Sequence, residues 1–239
     1  MVTDEEGRKL LEGATTFLTG FHGLGEVGYI ACKHIVEQLD AKRVATISSS
    51  VTPPFIAIDG NSLRLPFEIF VKDKIAIFVP HFHLARYAQV EFSAKLGEWV
   101  KDNFEEAFLI GGLDKRLKDT SEEYRLVPTS QYLKNPKGVP KERIEELMLQ
   151  EGLFVTGPLA VMIGMLDLQR FPALAVLAYA TRERPDPAGS ANAVKCLNVL
   201  LSLDIEVESL IENARKIEEE IKKKVTPTEP EETQTPVYT

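Results

Sequence analysis

Hydrophobic positions along the chain switch repeatedly between a period near two and a period near 3.6, and the switches fall at glycines and prolines. TTFLTGF, Thr15–Phe21, reads as a strand that stops at the glycine turn HGLGEVG. YIACKHIVEQL, Tyr29–Leu39, follows with Ile30, Ile35, Val36 and Leu39 at helical spacing, and RVATISS, Arg43–Ser49, reads as a second strand. Strand, helix, strand predicts a right-handed crossover joining a parallel pair. PFIAIDGNSLRLPFEIFV then alternates on both sides of Asp59-Gly60, a dipeptide suited to the positive-φ positions of a tight turn. It predicts an antiparallel hairpin that joins the sheet. KIAIFVP, Lys74–Pro80, is apolar nearly throughout, the pattern of a central strand buried on both faces.

The second half continues the alternation. Arg86–Asn103 carries Val90, Phe92, Leu96, Trp99 and Val100 at mainly helical spacing, and EAFLIGG, Glu106–Gly112, supplies another buried strand. Leu113–Lys141 is polar, holds three prolines, and shows no clear periodic element. Loops of that length are often functional or cover a partner surface. A short acidic helix, Lys141–Gln150, precedes LFVTGPLAVMIGML, which reads as a strand running into a small-residue helix. ALAVLAYAT, Ala173–Thr181, is the last strong strand candidate, and PDPAG introduces the helix ANAVKCLNVLLSL. These elements predict one layered α/β domain, residues 1–203.

Residues 204–225 read as a separate charged amphipathic helix. Val207, Leu210, Ile211, Ala214, Ile217 and Ile221 form one narrow apolar stripe, suited either to packing on its own domain or to a seam between protomers. Residues 226–239 hold three prolines and three acidic residues among little that is apolar, so a disordered tail is expected. A coil of that length spans roughly 20 Å.

Composition narrows the function classes. With 44% hydrophobic and 27% charged residues, the chain has the make-up of an ordinary globular protein. A net charge of -8 and a pI near 5.2 argue against nucleic acid or an anionic membrane as partner. Cys32 and Cys196 lie far apart in apolar segments, as reduced, buried thiols of a cytosolic protein would. The amino terminus lacks the basic start and apolar run of a secretory signal, and about 18 uninterrupted apolar residues occur nowhere. A cytoplasmic location is expected.

Candidate chemistry is sparse. FHGLGEVG satisfies G-x-G-x-x-G at Gly23, Gly25 and Gly28 between a strand and a helix, where helix amides can receive an anion. However, the next strand ends in ISSS where a ribose-binding acid is wanted, and Glu26 places a negative charge in the turn. Turning and close helix packing are the favoured use of these glycines, with nucleotide or phosphate binding as the alternative. His81 and His83 follow a strand end, and Asp114 could add a carboxylate to a metal site, but no further ligand is evident. There is no Gly-x-Ser-x-Gly, and Cys32 sits on a buried helix face. Neither catalytic set, metal nor cofactor is expected. Val237-Tyr238-Thr239 stands out: composition alone yields a hydrophobic-Tyr-any ending about 1% of the time. A terminal carboxylate beside a rigid phenolic ring makes a compact anchor for a pocket on another protein.

In order and spacing, GFHGLGEVG, FLIGGL, EGLFVTGPLAVMIGM, ALAVLAYAT with PDPAGSANA, and LLSLDIEVESLIENARKIEE resemble the PAC2 family. This is the family of proteasome assembly chaperone 2 and its archaeal homologues. The resemblance covers roughly Thr15–Glu220. It implies a three-layer α/β/α sandwich around a mixed, largely parallel sheet, similar to nucleoside phosphorylases, without catalysis. It also implies a homo-oligomer, with tetramer or pentamer plausible. The ending looks like the HbYX motif that proteasome activators insert between adjacent α-subunits of the core particle. Val237 would then be the hydrophobic contact, Tyr238 the anchor, and the Thr239 carboxylate the partner of a pocket lysine.

Overall fold

In the computed structural model, which describes residues 1–60 and 62–225, a two-residue strand β1 (Val2–Thr3) precedes helix α1 (Glu5–Glu12). Asp4 caps that helix by accepting from the Gly7 amide at 2.7 Å. Then come β2 (Thr16–Gly20), α2 (Val27–Gln38), β3 (Lys42–Thr46), and the short strands β4 (Ala57–Asp59) and β5 (Ser62–Arg64). The middle of the chain forms β6 (Phe67–Lys72), β7 (Ile75–Pro80), α3 (Gln89–Asn103), β8 (Glu106–Asp114) and β9 (Tyr124–Pro128). It continues through α4 (Ser130–Lys134), α5 (Lys141–Glu146), α6 (Gly157–Leu168), β10 (Ala173–Ala180), α7 (Pro187–Leu201) and α8 (Glu208–Val225).

Eight strands form one mixed sheet in the order β1-β3-β6-β7-β2-β8-β10-β9. Its centre, β7-β2-β8-β10, is parallel, as continuous apolar strands require. The flanks are antiparallel. Along β2 and β8 successive side chains serve opposite faces. Phe17, Ala107 and Leu109 join the core under α3 and α6, whereas Leu18, Phe108 and Ile110 join the core under α2 and α7. The result is the expected α/β/α layering, with KIAIFVP in a central strand.

Four expectations need correction. β2 and β3 run in the same direction but are not neighbours, because β6 and β7 lie between them. The hairpin at Asp59-Gly60 forms, yet β4 and β5 make their own two-stranded sheet. The hairpin that enters the main sheet is β6–β7, turned at Asp73 with φ 51°. LFVT is not a strand. β9, from the stretch that showed no periodicity, already covers the free edge of β10, and Phe154 is 81% exposed. As an edge strand, β9 tolerates Pro128.

The start of α8 belongs to the core. Val207, Leu210 and Ala214 are buried, and Val207 and Leu210 pack in the cluster shared with α2 and α7. His34 Nε2 on α2 lies 2.6 Å from the Glu206 carbonyl, tying the segment before α8 to the domain. Both cysteines are buried and free, and burial pushes their thiols up, that of Cys196 to about 12.

Candidate functional site

Parallel strands deliver their carboxyl ends to one side of the sheet, and the chemistry-bearing residues collect there. A cleft of about 650 Å³ opens beyond β2, β8 and β10, between the glycine loop and the segment Phe154–Leu159. His22, Leu24, Asp114 and Arg182 are among its lining residues.

The structure accounts sterically for two of the three glycines. Gly25 has φ 63°, and a Cβ there would meet Ala180 Cβ at 2.8 Å. A Cβ on Gly28 would lie 2.4 Å from the Ile110 carbonyl oxygen and 2.8 Å from Gly20 Cα, so glycine lets α2 settle directly on β2 and β8. Gly23 is extended, and a Cβ there would meet nothing. At the entry to α2, where an anion would sit, the chain carries Glu26 at φ 52° with no side-chain cap. That negative charge opposes a phosphate.

Beside the glycine loop, three of the four histidines meet at the ends of the paired strands β2 and β7. His22 stacks on Tyr29 with ring centroids 4.1 Å apart and lies 4.3 Å from the His83 ring. Its side chain is only 8% exposed, and neither ring nitrogen has a hydrogen-bond partner among the described residues. Burial, with His83 as second cause, lowers its pKa to about 4; the Pro80 carbonyl offsets part of this at a geometry short of a hydrogen bond. Glu26 completes the group. Its carboxylate is 3.9 Å from both His22 Nδ1 and His83 Nε2.

His81 belongs to a different network. Its Nε2 lies 2.9 Å from Glu68 Oε2, and a carboxylate only accepts, so the proton is on Nε2 and Nδ1 faces the Tyr29 hydroxyl at 3.4 Å. Arg43 Nη1 donates to the other Glu68 oxygen at 2.6 Å, and the Leu65 amide does so at 3.1 Å. The candidate His81, His83 and Asp114 metal set, which the sequence did not favour, is not assembled. His81 turns inward, and Asp114 caps the turn Lys115–Leu117 while pairing with Arg116, which holds its carboxyl down at about 2. His22 and Glu26 are what the sequence reading missed; their placement two residues after β2 and in the first turn after the glycines was the available signal. Val237, Tyr238 and Thr239 lie outside the described residues.

The architecture is thus that of a mixed-sheet α/β/α protein with a cleft at its parallel strand ends. Residues 17–225 match the model of the PAC2 family, and the chain belongs to that family. Among curated proteins, an uncharacterized protein of Methanocaldococcus jannaschii is 35% identical over 86 residues. That match spans 34% of this chain and 36% of the relative's length. Among solved structures, Pyrococcus furiosus PbaA, an archaeal homolog of proteasome-assembly chaperone, superposes with a TM-score of 0.75 at 22% identity, over 89% of this chain and 87% of PbaA. Pyrococcus furiosus PbaB, an archaeal proteasome activator, gives 0.67 at 20% identity, over 87% of this chain and 92% of PbaB. A Thermoplasma acidophilum protein of unknown function gives 0.70 at 21% identity, over 93% of this chain and 96% of its own. These likenesses establish a shared fold.

Proposed function

We propose that the protein is a non-enzymatic, homo-oligomeric proteasome-assembly chaperone or activator. It docks Val237-Tyr238-Thr239 into pockets between adjacent α-subunits of the core particle. The observation that carries the reading is this terminal hydrophobic-Tyr-any tripeptide on a PAC2 domain. The descriptions of PbaA and PbaB, one a chaperone homolog and the other an activator, give the reading its partner class.

Support also comes from α8, an 18-residue helix of roughly 27 Å whose first turns are anchored against α7. It leads from the domain toward residues 226–239. In this reading Tyr238 fills an apolar pocket, its hydroxyl and the Thr239 carboxylate find polar partners, and several tails per oligomer convert weak anchors into avidity. A pull-down with intact, Tyr238→Ala and tail-deleted protein, against free α-subunits and against assembled core particles, tests it. Tyr238→Ala is expected to weaken capture at least about thirtyfold, the scale of an aromatic anchor. Capture of free subunits marks a chaperone, and capture of assembled particles an activator. Undiminished capture after deletion of the last three residues refutes the tail mechanism.

A further inference from the structure

Glu26 and the two histidines beside it converge without bonding to one another. Both carboxylate-to-imidazole separations, 3.9 Å, exceed hydrogen-bond length. One nitrogen from each ring and one carboxylate oxygen nevertheless all lie within 4.8 Å of each other. The least exposed side chain, that of His22, leaves both ring nitrogens unpaired among the described residues, which a folded chain rarely tolerates unless something supplies the missing partner. Among the described residues no hydrogen-bond donor or acceptor does so.

We propose that His22, Glu26 and His83 bind a divalent transition-metal ion of the zinc class. Two imidazoles and one carboxylate suit zinc, cobalt, nickel or copper, whereas magnesium and calcium take oxygen ligands. In a tetrahedron with bonds of about 2.1 Å the ligand atoms stand about 3.4 Å apart, so the group must close inward by about 1 Å. His22 is fixed by burial and by stacking on Tyr29, while His83 is 70% and Glu26 34% exposed and both can move. Three protein ligands leave one position open, next to the cleft that His22 lines. The ion would fasten the glycine loop after β2 to the loop after β7. It would also satisfy a polar ring that the protein alone does not. His81 and Asp114 take no part, because Glu68 and Arg116 hold them.

Untagged full-length protein, stripped with a chelator and dialysed, should be titrated with Zn²⁺ by calorimetry and with Co²⁺ by visible absorption. The expected result is one Zn²⁺ per chain, with Co²⁺ bands of four-coordinate intensity. His83→Ala and Glu26→Gln, both at exposed or half-exposed side chains and checked for folding by circular dichroism, are each expected to weaken binding at least about tenfold. Asp114→Asn should leave it unchanged. Absence of saturable binding, binding that survives both substitutions, or equal loss in Asp114→Asn overturns the proposal.

Discussion

Glu68 is a carboxylate with 3% of its side chain exposed, on a strand facing basic partners from two directions. Burial by itself raises such a group. Here hydrogen bonds from His81, Arg43 and the Leu65 amide outweigh it, so the carboxyl lies below its ordinary 4.5. A depressed acid stabilises the fold above its unfolded value, and that contribution is lost as pH falls through the folded value. Unfolding midpoints in denaturant are therefore expected to drop below pH 4.5. Glu68→Gln should flatten that part of the profile and cost about 1–3 kcal/mol at neutral pH by stranding Arg43 and His81. A profile identical to that of the unsubstituted protein would contradict this. The sequence shows a strand ending at Pro80 and a histidine pair after it, but not which way each ring turns. Beyond that point alternation no longer governs direction, so His81 and His83 go to different partners. Which of several acids each one meets depends on strand order, and local pattern does not encode strand order.

At the level of elements, legibility follows how much of an element's reason is local. The parallel strands announce themselves, because burial on both faces leaves few polar residues, Thr16, Thr19 and Glu106 being buried exceptions. α2 and α3 carry their own periodicity. β9 does not: Tyr124 and Leu126 alternate with Arg125, whose guanidinium donates to the Tyr179 hydroxyl at 3.2 Å and to Asp119 at 3.1 Å, so its polarity is explained by partners outside the strand. LFVT fails in the opposite sense, being apolar without a free edge to join. The glycine loop reads correctly as a strand-to-helix turn, and contacts distant in sequence give the reason for Gly28. Gly28→Ala is expected to push α2 off β2 and β8 and to cost about 2–4 kcal/mol in chemical denaturation, an overpacking effect against rigid backbone. Gly23→Ala, with nothing to meet, should cost under about 1 kcal/mol. Equal effects at the two positions would show that the loop, not the helix seat, is what glycine serves.

For the whole molecule the unbalanced feature is the β4–β5 hairpin. A two-stranded sheet has little stability alone, and this one and the two residues before it expose Phe55, Ile56, Ile58 and Leu63 at 47, 55, 81 and 51%. Among its ties to the body are an edge contact between Phe55 and Phe82, with centroids 4.4 Å apart, and a hydrogen bond from Arg43 to the Leu63 carbonyl. Four large apolar side chains so exposed are poorly placed for an isolated protomer, and a second copy of the chain would cover them through a self-complementary contact. The expected outcome is an oligomer by sedimentation velocity that Ile58→Asp with Leu63→Asp converts toward monomer, with circular dichroism unchanged because neither residue contributes to the main core. The same pair of substitutions bears on the tail. If several tails engage one ring together, removing the oligomer should weaken capture of core particles by about 100-fold or more while Tyr238 is still present. A monomeric unsubstituted protein, or an oligomer indifferent to both aspartates, would place self-association elsewhere or remove it, and each tail would then have to bind on its own strength.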